Sequence, residues 1–324
     1  MTTLSARLTL LCGDERVGAW HTDFSAAAEL PEGIGFPMLH RQALLLATLH
    51  VSRRRLSKLD LMKLLFLTRQ EWLGGGSAVY DFVPCKHGPF SFSVHRDLFD
   101  MAQRGLLFEE GRVISSSREW TEMAFRSLSH TEQAAVSSTG RKYGDMSARR
   151  LLDYVYSSYP WFASRSGLTR KQGRLPREQS GSVLYTAGYE GETIDGFLCR
   201  LMQSDIEAVL DVRQNPVSRK YGFSKSTLQR LAANVGVKYF HFKELGIPSA
   251  DRKNLRSADD YARLFARYES SMLPRADAAV RAADQIVIGQ RSALVCFERN
   301  HKYCHRSHLA DRMARDTGLS VLHL

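Results

Sequence analysis

The stretch CFERNHKYCHRSHLA, close to the end of the chain, contains several side chains that could carry chemistry. Its first residues continue an apolar run, ALVCFE, that predicts a strand with Cys296 and Glu298 on the same side. A helix is expected to begin near Cys304, where backbone N–H groups and the helix dipole favour a thiolate or a bound anion. His305 and Arg306 add a base and a cation at the same place. The pattern therefore predicts a functional site at this strand end.

Four interpretations of the site remain open. The favoured one is a phosphate or oxyanion cradle, with Glu298 as acid, base or nucleophile. A nucleophilic thiol at Cys304 is the second. A zinc site from Cys296, Cys304 and His305 is the third, but their spacing matches no common structural zinc finger, so we expect neither a metal nor another cofactor. Plain capping of the helix, without chemistry, is the fourth.

A second polar cluster follows the predicted strand in LDVRQNPVSRKYGF. Asp211 and Arg213 share a face of that strand, and burying them is costly unless they pair with each other or face a ligand. Both are predicted as site residues, with a structural salt bridge as the alternative. The cations and aromatic ring that follow suit phosphate neutralisation and base stacking. The predicted nucleic-acid-binding residues here are Ser218, Arg219, Lys220, Phe223 and Lys225.

A third cluster, TAGYEG, ends the first strand of the same region. Gly188 and Gly191 would let the backbone approach a ligand closely, and Tyr189 between them is a candidate site residue. The stretch lacks the lysine of a P-loop and the third glycine of a dinucleotide-binding fingerprint. By itself it indicates only a tight turn at the site.

Residues 183–324 alternate short apolar runs with helical patterns, which is typical of βαβ units and a parallel sheet. The expected strands are in SVLYTAGYEG, IEAVLDVRQNP, VKYFHFKELG, either QIVIG or SALVCFE, and LSVLHL. We predict an α/β domain with a mostly parallel, Rossmann-like or flavodoxin-like sheet and flanking helices. Function is then expected at the carboxyl ends of the strands.

Residues 40–163 predict a mainly α-helical, winged-helix-like domain: two helices, a short strand with a Gly-Pro turn, a helix over about 91–103 and a β pair. Ser57 is the expected N-cap of the second helix, and Gly105 ends the helix that begins near Ser91. Residues 164–182 have five basic residues but only one acidic residue and few apolar ones, so we predict a basic linker. Residues 1–39 form an unassigned N-terminal extension.

Composition restricts the class of protein. The formal net charge of +11 points to a polyanionic partner, and nucleic acid is the first candidate. The chain shows no secretory signal pattern and no apolar run long enough to span a bilayer, so we expect a cytoplasmic protein without membrane contact. Five cysteines without a repeated spacing predict no disulfide framework. The oligomeric state stays open.

The blocks YTAGYEG, VLDVRQNPVSRKYGFSK, VKYFHFKELG and LVCFERNHKYCHRSHLA closely resemble the family named domain of unknown function 488. The resemblance covers about 183–324 and implies a compact α/β domain, without deciding its activity. A weaker similarity to rhodanese-like domains implies sulfur transfer, but the rhodanese active-site loop is not reproduced. The shared positions implied by the first resemblance are Tyr189, Asp211, Arg213, Pro216, Ser218, Arg219, Glu298, Cys304, His305 and Arg306.

Residues 40–160 resemble the Panacea-type antitoxin-associated domain through LSKLDLMKLLFL, YDFVPCKHGPFSFSVHRDLFDMAQRGLL and ARRLLDYVYSSYP. This resemblance implies an all-α, winged-helix-like module that binds partners, either DNA or a protein. Lys86, His87 and Arg96 are the residues of this region expected to contact nucleic acid.

Together these patterns predict an enzyme that acts on nucleic acid, DNA rather than RNA. The favoured reaction is base removal by hydrolysis of an N-glycosidic bond, with Glu298 or Asp211 stabilising a cationic sugar and Tyr189 or Phe223 stacking on a flipped base. The domain pairing suggests a setting in defence against foreign DNA. One alternative is a binding protein or antitoxin-like regulator that senses a nucleotide or anion; another is a thiol-dependent, rhodanese-like transferase acting through Cys304.

Overall fold

The computed structural model describes residues 38–74, 79–166, 183–253 and 255–324. The chain divides into two compact units, Met1–Gln172 and Gly173–Leu324. This division falls within the segment predicted to be a linker. Most of that segment, residues 167–182, lies outside the described residues, as do residues 1–37 of the predicted extension.

The N-terminal unit is mainly helical and contains short antiparallel strands. The strand order β1-β5-β4 forms one sheet, and β2 and β3 form a separate hairpin. Its helices and strands are α1 (His40–Val51), β1 (Leu56–Ser57), α2 (Lys58–Thr68), β2 (Val83–Cys85), β3 (Gly88–Phe90), α3 (Phe92–Gln103), β4 (Phe108–Glu110), β5 (Val113–Ser115), α4 (Arg118–Ser127), α5 (His130–Tyr143), α6 (Ala148–Ser158) and α7 (Pro160–Ala163).

Local capping explains where the helices of this unit begin and end. The hydroxyl of Ser57 accepts a hydrogen bond from the backbone N–H of Asp60, and Ser91 does the same for Val94, so both predicted helix starts are confirmed. Gly105 follows α3 with a φ of +69°, a conformation that glycine adopts without strain. The helices and the β pair occur in the expected order, while a winged-helix arrangement stays a prediction.

A buried polar network ties α1 to α3 within the N-terminal unit. Asp97 is 1% exposed and accepts two hydrogen bonds from the Arg41 guanidinium, at 2.6 and 2.9 Å. The hydroxyl of Tyr80 donates to the same carboxylate at 2.8 Å. Because its oxygens are satisfied, the carboxylate can be buried among the apolar residues of the two helices.

The C-terminal unit alternates strands and helices, as predicted. Its regular elements are β6 (Val183–Gly188), α8 (Ile194–Gln203), β7 (Ala208–Asp211), α9 (Lys225–Asn234), β8 (Lys238–His241), α10 (Ala258–Arg267), α11 (Leu273–Arg275), α12 (Asp277–Gly289), β9 (Ser292–Cys296), α13 (His305–Thr317) and β10 (Ser320–His323). Of the two candidates for the fourth strand, SALVCFE contains β9, whereas QIVIG belongs to the end of α12. Among the described residues, no helix has the length and apolarity needed to cross a membrane.

The five strands form one parallel sheet in the order β10-β6-β9-β7-β8. The predicted α/β fold with a parallel sheet is thereby confirmed. The middle position belongs to β9 rather than to the first strand of the domain, which is where a Rossmann order places that strand. Since β6 and β7 both pair with β9, the three chain segments with candidate chemistry leave the sheet side by side.

Both faces of the sheet are buried. Leu210 and Leu294 point to the face covered by α10, α12 and α13, where they join one apolar core. Val209 and Val295 are equally buried and, because strand side chains alternate, point to the opposite face. There Tyr189, which continues β6, contacts Phe197 of α8 edge to face. Burial on both sides explains why the strands are continuous apolar runs.

We predict that Leu294→Ala destabilises the C-terminal unit by about 2–5 kcal/mol, since it leaves a cavity at the centre of the sheet. Leu322→Ala is the matched control, because Leu322 lies on the edge strand β10 and is 50% exposed. Urea unfolding followed by circular dichroism measures both. Equal losses in the two variants would contradict the proposed position of the core.

A buried carboxyl group on α12 predicts a pH-dependent stability. Burial, together with the nearby Asp316 carboxylate, raises the pKa of Asp284 to about 6. A carboxyl whose folded-state pKa is raised adds stability at low pH, and this is lost as the pH rises through about 6. Asp284→Asn should therefore stabilise the protein by about 1–2 kcal/mol at pH 7.5 and by almost nothing at pH 4. The exposed Asp311→Asn is the control; a pH-independent gain at position 284 would refute this explanation.

Candidate functional site

The three predicted clusters meet at the carboxyl edge of the parallel sheet. Gly188, the last residue of β6, lies opposite Cys296 in the register of the sheet. Asp211, at the end of β7, lies opposite Val295 on the other side of β9. This common strand edge is where open α/β sheets hold their ligands.

Gly188 is required by the approach of another backbone segment, not by a ligand. A Cβ atom at this position would lie 1.8 Å from the carbonyl oxygen of Glu298. Directly after it, the N–H groups of Tyr189 and Glu190 donate to the Phe297 carbonyl, at 3.1 and 2.9 Å. The TAGYEG turn therefore holds the loop after β9 and fixes the point from which the Glu298 side chain starts.

Arg306 holds the same loop from the other side. It is completely buried, and its guanidinium donates to the carbonyl oxygens of Glu298 and Arg299. A weaker hydrogen bond of 3.4 Å joins its Nε to the hydroxyl of Thr186. These contacts correct the expectation that Arg306 binds an anion, because its donors already serve backbone carbonyl groups.

Asp211 and Arg213 form the structural salt bridge that the sequence left as the alternative. The guanidinium donates to both carboxylate oxygens, at 2.8 and 2.5 Å, and Asp211 has no exposed surface. The hydroxyl of Tyr239 donates to the same carboxylate at 2.6 Å. With its oxygens satisfied and hidden, Asp211 supports the site instead of acting on a substrate.

Tyr189 and Phe223 stack on each other rather than on a ligand. Their ring centroids are 4.1 Å apart and nearly parallel, and Phe223 has no exposed surface. The hydroxyl of Tyr189 accepts a hydrogen bond of 2.6 Å from Arg213. Phe223 therefore offers no free ring face to a base. The exposed ring nearby belongs to Phe297, which is 44% exposed.

Two thiols, a carboxylate and an imidazole form a cluster beside this edge. The Sγ atoms of Cys296 and Cys304 lie 3.1 and 3.0 Å from the same oxygen of Glu298, its Oε2. The other oxygen, Oε1, accepts a hydrogen bond of 2.9 Å from Arg252. His305 accepts from the second Nη of Arg252 at 2.9 Å through its Nδ1. Arg252 thus supplies the positive charge that allows an acidic cluster to be buried.

Burial and mutual contact move the proton affinities of the cluster apart. Burial and the neighbouring Cys296 raise the pKa of Cys304 well above its usual value. Although burial opposes it, the contacts of Cys296 with Cys304 and His305 hold the pKa of Cys296 below its usual value. Burial, again with the charge at Cys296, raises the pKa of Glu298. Three acids with separated proton affinities are suited to donating and accepting protons.

A cavity of about 300 Å³ opens next to this cluster. Arg213, Arg219 and Arg252 line it, and among the described residues that form its wall none is acidic. The wall also includes Cys296 and two apolar side chains at the surface, Val217 and Phe297, which are 76% and 44% exposed. Such a site suits a small anionic ligand with a flat apolar part.

The remaining predicted residues have different positions. Arg219 and Lys220 are exposed on the loop between β7 and α9, and Lys225 is the exposed first residue of α9; Ser218 accepts a hydrogen bond from the Lys220 N–H within the loop. Cys304 is fully buried and is not part of the cavity wall, which removes support for it as a nucleophile. Lys86, His87 and Arg96 belong to the N-terminal unit; the first two form the turn between β2 and β3, and Arg96 pairs with Asp100 at 2.8 Å.

Sequence reasoning missed three residues of this site. Arg252 lies in an irregular segment where no periodic pattern marks it. Phe297 was not among the predicted site residues, and Cys296 was considered only as a metal ligand. The signal that could have identified Phe297 and Cys296 is their position at the very end of a buried strand, where side chains leave the core.

We predict that Gly188→Ala costs about 3 kcal/mol or more, because the new methyl group would overlap the Glu298 carbonyl and displace the loop after β9. Gly289→Ala is the matched control: no other atom lies within 4 Å of its Cβ position, and alanine favours helix. Thermal unfolding of the two variants measures the difference. Equal stability of both would show that the loop is not held by this contact.

Comparison with known proteins gives one result, for the C-terminal unit. Residues 193–313 match the family model described as Domain of unknown function DUF488. No curated protein and no solved structure matches the chain. The Panacea-type resemblance of the N-terminal region stays a prediction. The resemblance predicted for the C-terminal region is confirmed over residues 193–313, which match this family model and include the clusters after β7 and β9.

Proposed function

We propose that the C-terminal domain is an enzyme that acts on nucleic acid, DNA rather than RNA, by hydrolysing an N-glycosidic bond. The observation that carries the proposal is the arginine-lined cavity with Cys296 in its wall, whose thiol contacts the partly exposed carboxyl group of Glu298. Arg213 and Arg252 are paired with Asp211 and Glu298, so the exposed Arg219 is the wall arginine proposed to attract a phosphate group. The volume of the cavity, at the small end of the usual range for ligand sites, suits a single base with its sugar.

The surface around the cavity favours a polymer over a free nucleotide. Arg219 and Lys220, on the loop that leaves the cavity, and Lys225, at the start of α9, continue the positive charge. A cluster of exposed cations can neutralise phosphates of a nucleic-acid backbone. Phe297 provides an exposed ring at the cavity wall for stacking on a displaced base, the role first expected of Tyr189 or Phe223.

Glu298 has the properties of an acid/base group in this reaction. Its side chain is 23% exposed beside the cavity, and burial raises its pKa, which suits a group that exchanges a proton with a substrate. Arg252 orients the carboxyl through Oε1. Asp211, the other candidate, is occupied by Arg213 and Tyr239 and supplies no second catalytic carboxylate.

The N-terminal unit fits the proposal as a docking module for DNA or a protein partner. The turn formed by Lys86 and His87 between β2 and β3 provides the positive charge for such a contact. This part of the proposal depends on the sequence resemblance and on the overall charge of +11.

The test is base release from single- and double-stranded DNA with normal and modified bases. Abasic sites would be detected by alkaline cleavage and the freed base by mass spectrometry. We expect Glu298→Gln to lower the rate about 100-fold or more, because it removes the proton-transferring group. Glu244→Gln, which changes an exposed glutamate of the same domain outside the cavity wall, should leave the rate unchanged.

Two outcomes would overturn the proposal. Turnover that persists in Glu298→Gln would remove the role given to this residue. Binding of DNA by the wild-type protein without release of any base, across all substrates, would instead support a regulator that senses a nucleotide or anion. In that case Arg219→Ala should weaken binding although no reaction occurs.

A further inference from the structure

We propose that Cys296, Cys304 and His305 bind one thiophilic divalent cation, with Zn²⁺ as the first choice. The two Sγ atoms and a ring nitrogen of His305 all lie within 4.8 Å of one another, and all three residues are buried. Two thiolates and an imidazole are a ligand set that zinc prefers. The spacing in the sequence argued against such a site, but folding brings the three donors together.

The orientation of His305 is that of a metal ligand. Its Nε2 lies 3.1 Å from the carbonyl oxygen of Val212, to which only a protonated nitrogen can donate. In the neutral ring this leaves the lone pair on Nδ1, which faces the thiols at 3.8 Å from Cys296 and 4.0 Å from Cys304. A backbone carbonyl that fixes the second ring nitrogen is the usual support of a zinc-binding histidine.

The donor separations are close to those of a bound ion. Sulfur and nitrogen ligands at about 2.3 and 2.0 Å from a tetrahedral zinc lie roughly 3.5 Å from each other. The two sulfur–nitrogen separations of 3.8 and 4.0 Å therefore need adjustments of only a few tenths of an ångström, and the two sulfurs lie within 4.8 Å of each other. Since Cys296 is the last residue of β9 and Cys304 is the N-cap residue of α13, two rigid elements hold the thiols in place.

The charges of the cluster also favour a cation. Two buried thiols next to a carboxylate cannot all ionise without strong positive partners; Arg252 supplies one charge in direct contact, and Arg306 acts on Cys304 while its donors are bound to backbone carbonyl groups. A divalent ion would neutralise both thiolates and leave the Arg252–Glu298 pair balanced by itself. Arg252 would then give up its hydrogen bond to His305 Nδ1, which its side chain, 32% exposed, has room to do.

Glu298 would adjoin the fourth coordination position. Its Oε2 is 3.1 and 3.0 Å from the two sulfurs, on the side of the cluster where Cys296 meets the cavity. Three protein ligands with a fourth position for water are typical of catalytic zinc, which lowers the pKa of the water it binds. Glu298 would be the carboxylate that takes the proton from this water. The metal site itself is independent of the proposed substrate.

The first test is metal binding by the full-length protein, freed of metal by a chelator and kept reduced. We expect one equivalent of Zn²⁺ per chain, with release of protons from the thiols. With Co²⁺ as the probe, we expect visible d–d bands and a near-ultraviolet thiolate-to-cobalt charge-transfer band. If the wild-type complex shows no thiolate band, or binds zinc no better than Cys296→Ser/Cys304→Ser, the proposal is refuted.

Single variants identify the ligands. Cys304→Ser and His305→Gln should each weaken zinc binding at least 10-fold, whereas Cys199→Ser, which changes a cysteine on α8, should bind as the wild type does. Loss of binding in Cys199→Ser would place the metal elsewhere and contradict the site. Because the wild-type cobalt spectrum needs no variant, the proposal can be tested even where a substitution prevents folding.

Glu298→Gln separates this inference from the proposed function. It should retain zinc affinity to within a few-fold, since Glu298 is not one of the three ligands, while base release is lost. One equivalent of bound zinc without any base release would preserve the metal site and overturn the proposed reaction. Base release by a protein that binds no zinc would do the reverse.

Discussion

The site depends on one constraint, the close packing of the loop after β9 against the end of β6. Gly188 allows the Glu298 carbonyl to approach where any side chain would overlap it, and the buried Arg306 guanidinium binds this carbonyl and the next. A charged group without exposed surface is tolerated because its donors meet backbone oxygens. Since the loop cannot move freely, the Glu298 carboxylate stays beside both thiols.

A second constraint is the distribution of charge at the sheet edge. Asp211 and Arg213 form a buried ion pair, and the hydroxyl of Tyr239 donates a further hydrogen bond to the carboxylate, so neither charge is available to a ligand. Arg252 is the cation that remains next to the thiols, and it lies closer to solvent. The residues that follow β7 therefore have a structural role. The acidic groups at and beyond the end of β9, namely Cys296, Glu298 and Cys304, differ in the direction of their pKa shifts. The cavity opens between these two groups of residues, which is why we assign chemistry to Glu298 and support to Asp211.

Much of the fold follows from local patterns. The cap at Ser57 and the helix start near Ser91 were predicted correctly, because a hydroxyl that satisfies a free helix N–H is a contact between near neighbours in sequence. The strands were found from their apolar runs, although two such runs, QIVIG and SALVCFE, could not be distinguished. An apolar run of five residues suits a buried helix end as well as a buried strand, and only the packing around it decides.

The candidate site also combines features that follow from local sequence with features that only packing decides. From residue types and spacing alone, the sequence determined that three polar clusters stand at strand ends, because each follows an apolar run that must lie in the sheet. Which clusters are neighbours, which arginine binds backbone and which faces the cavity were decided by the tertiary structure. The strand order places β9 between β6 and β7, and the contacts of Arg252 with Glu298 and His305 span 46 and 53 residues of chain. Such contacts leave no local trace, because the residues that meet are selected by the packing of whole strands and helices rather than by their neighbours in sequence.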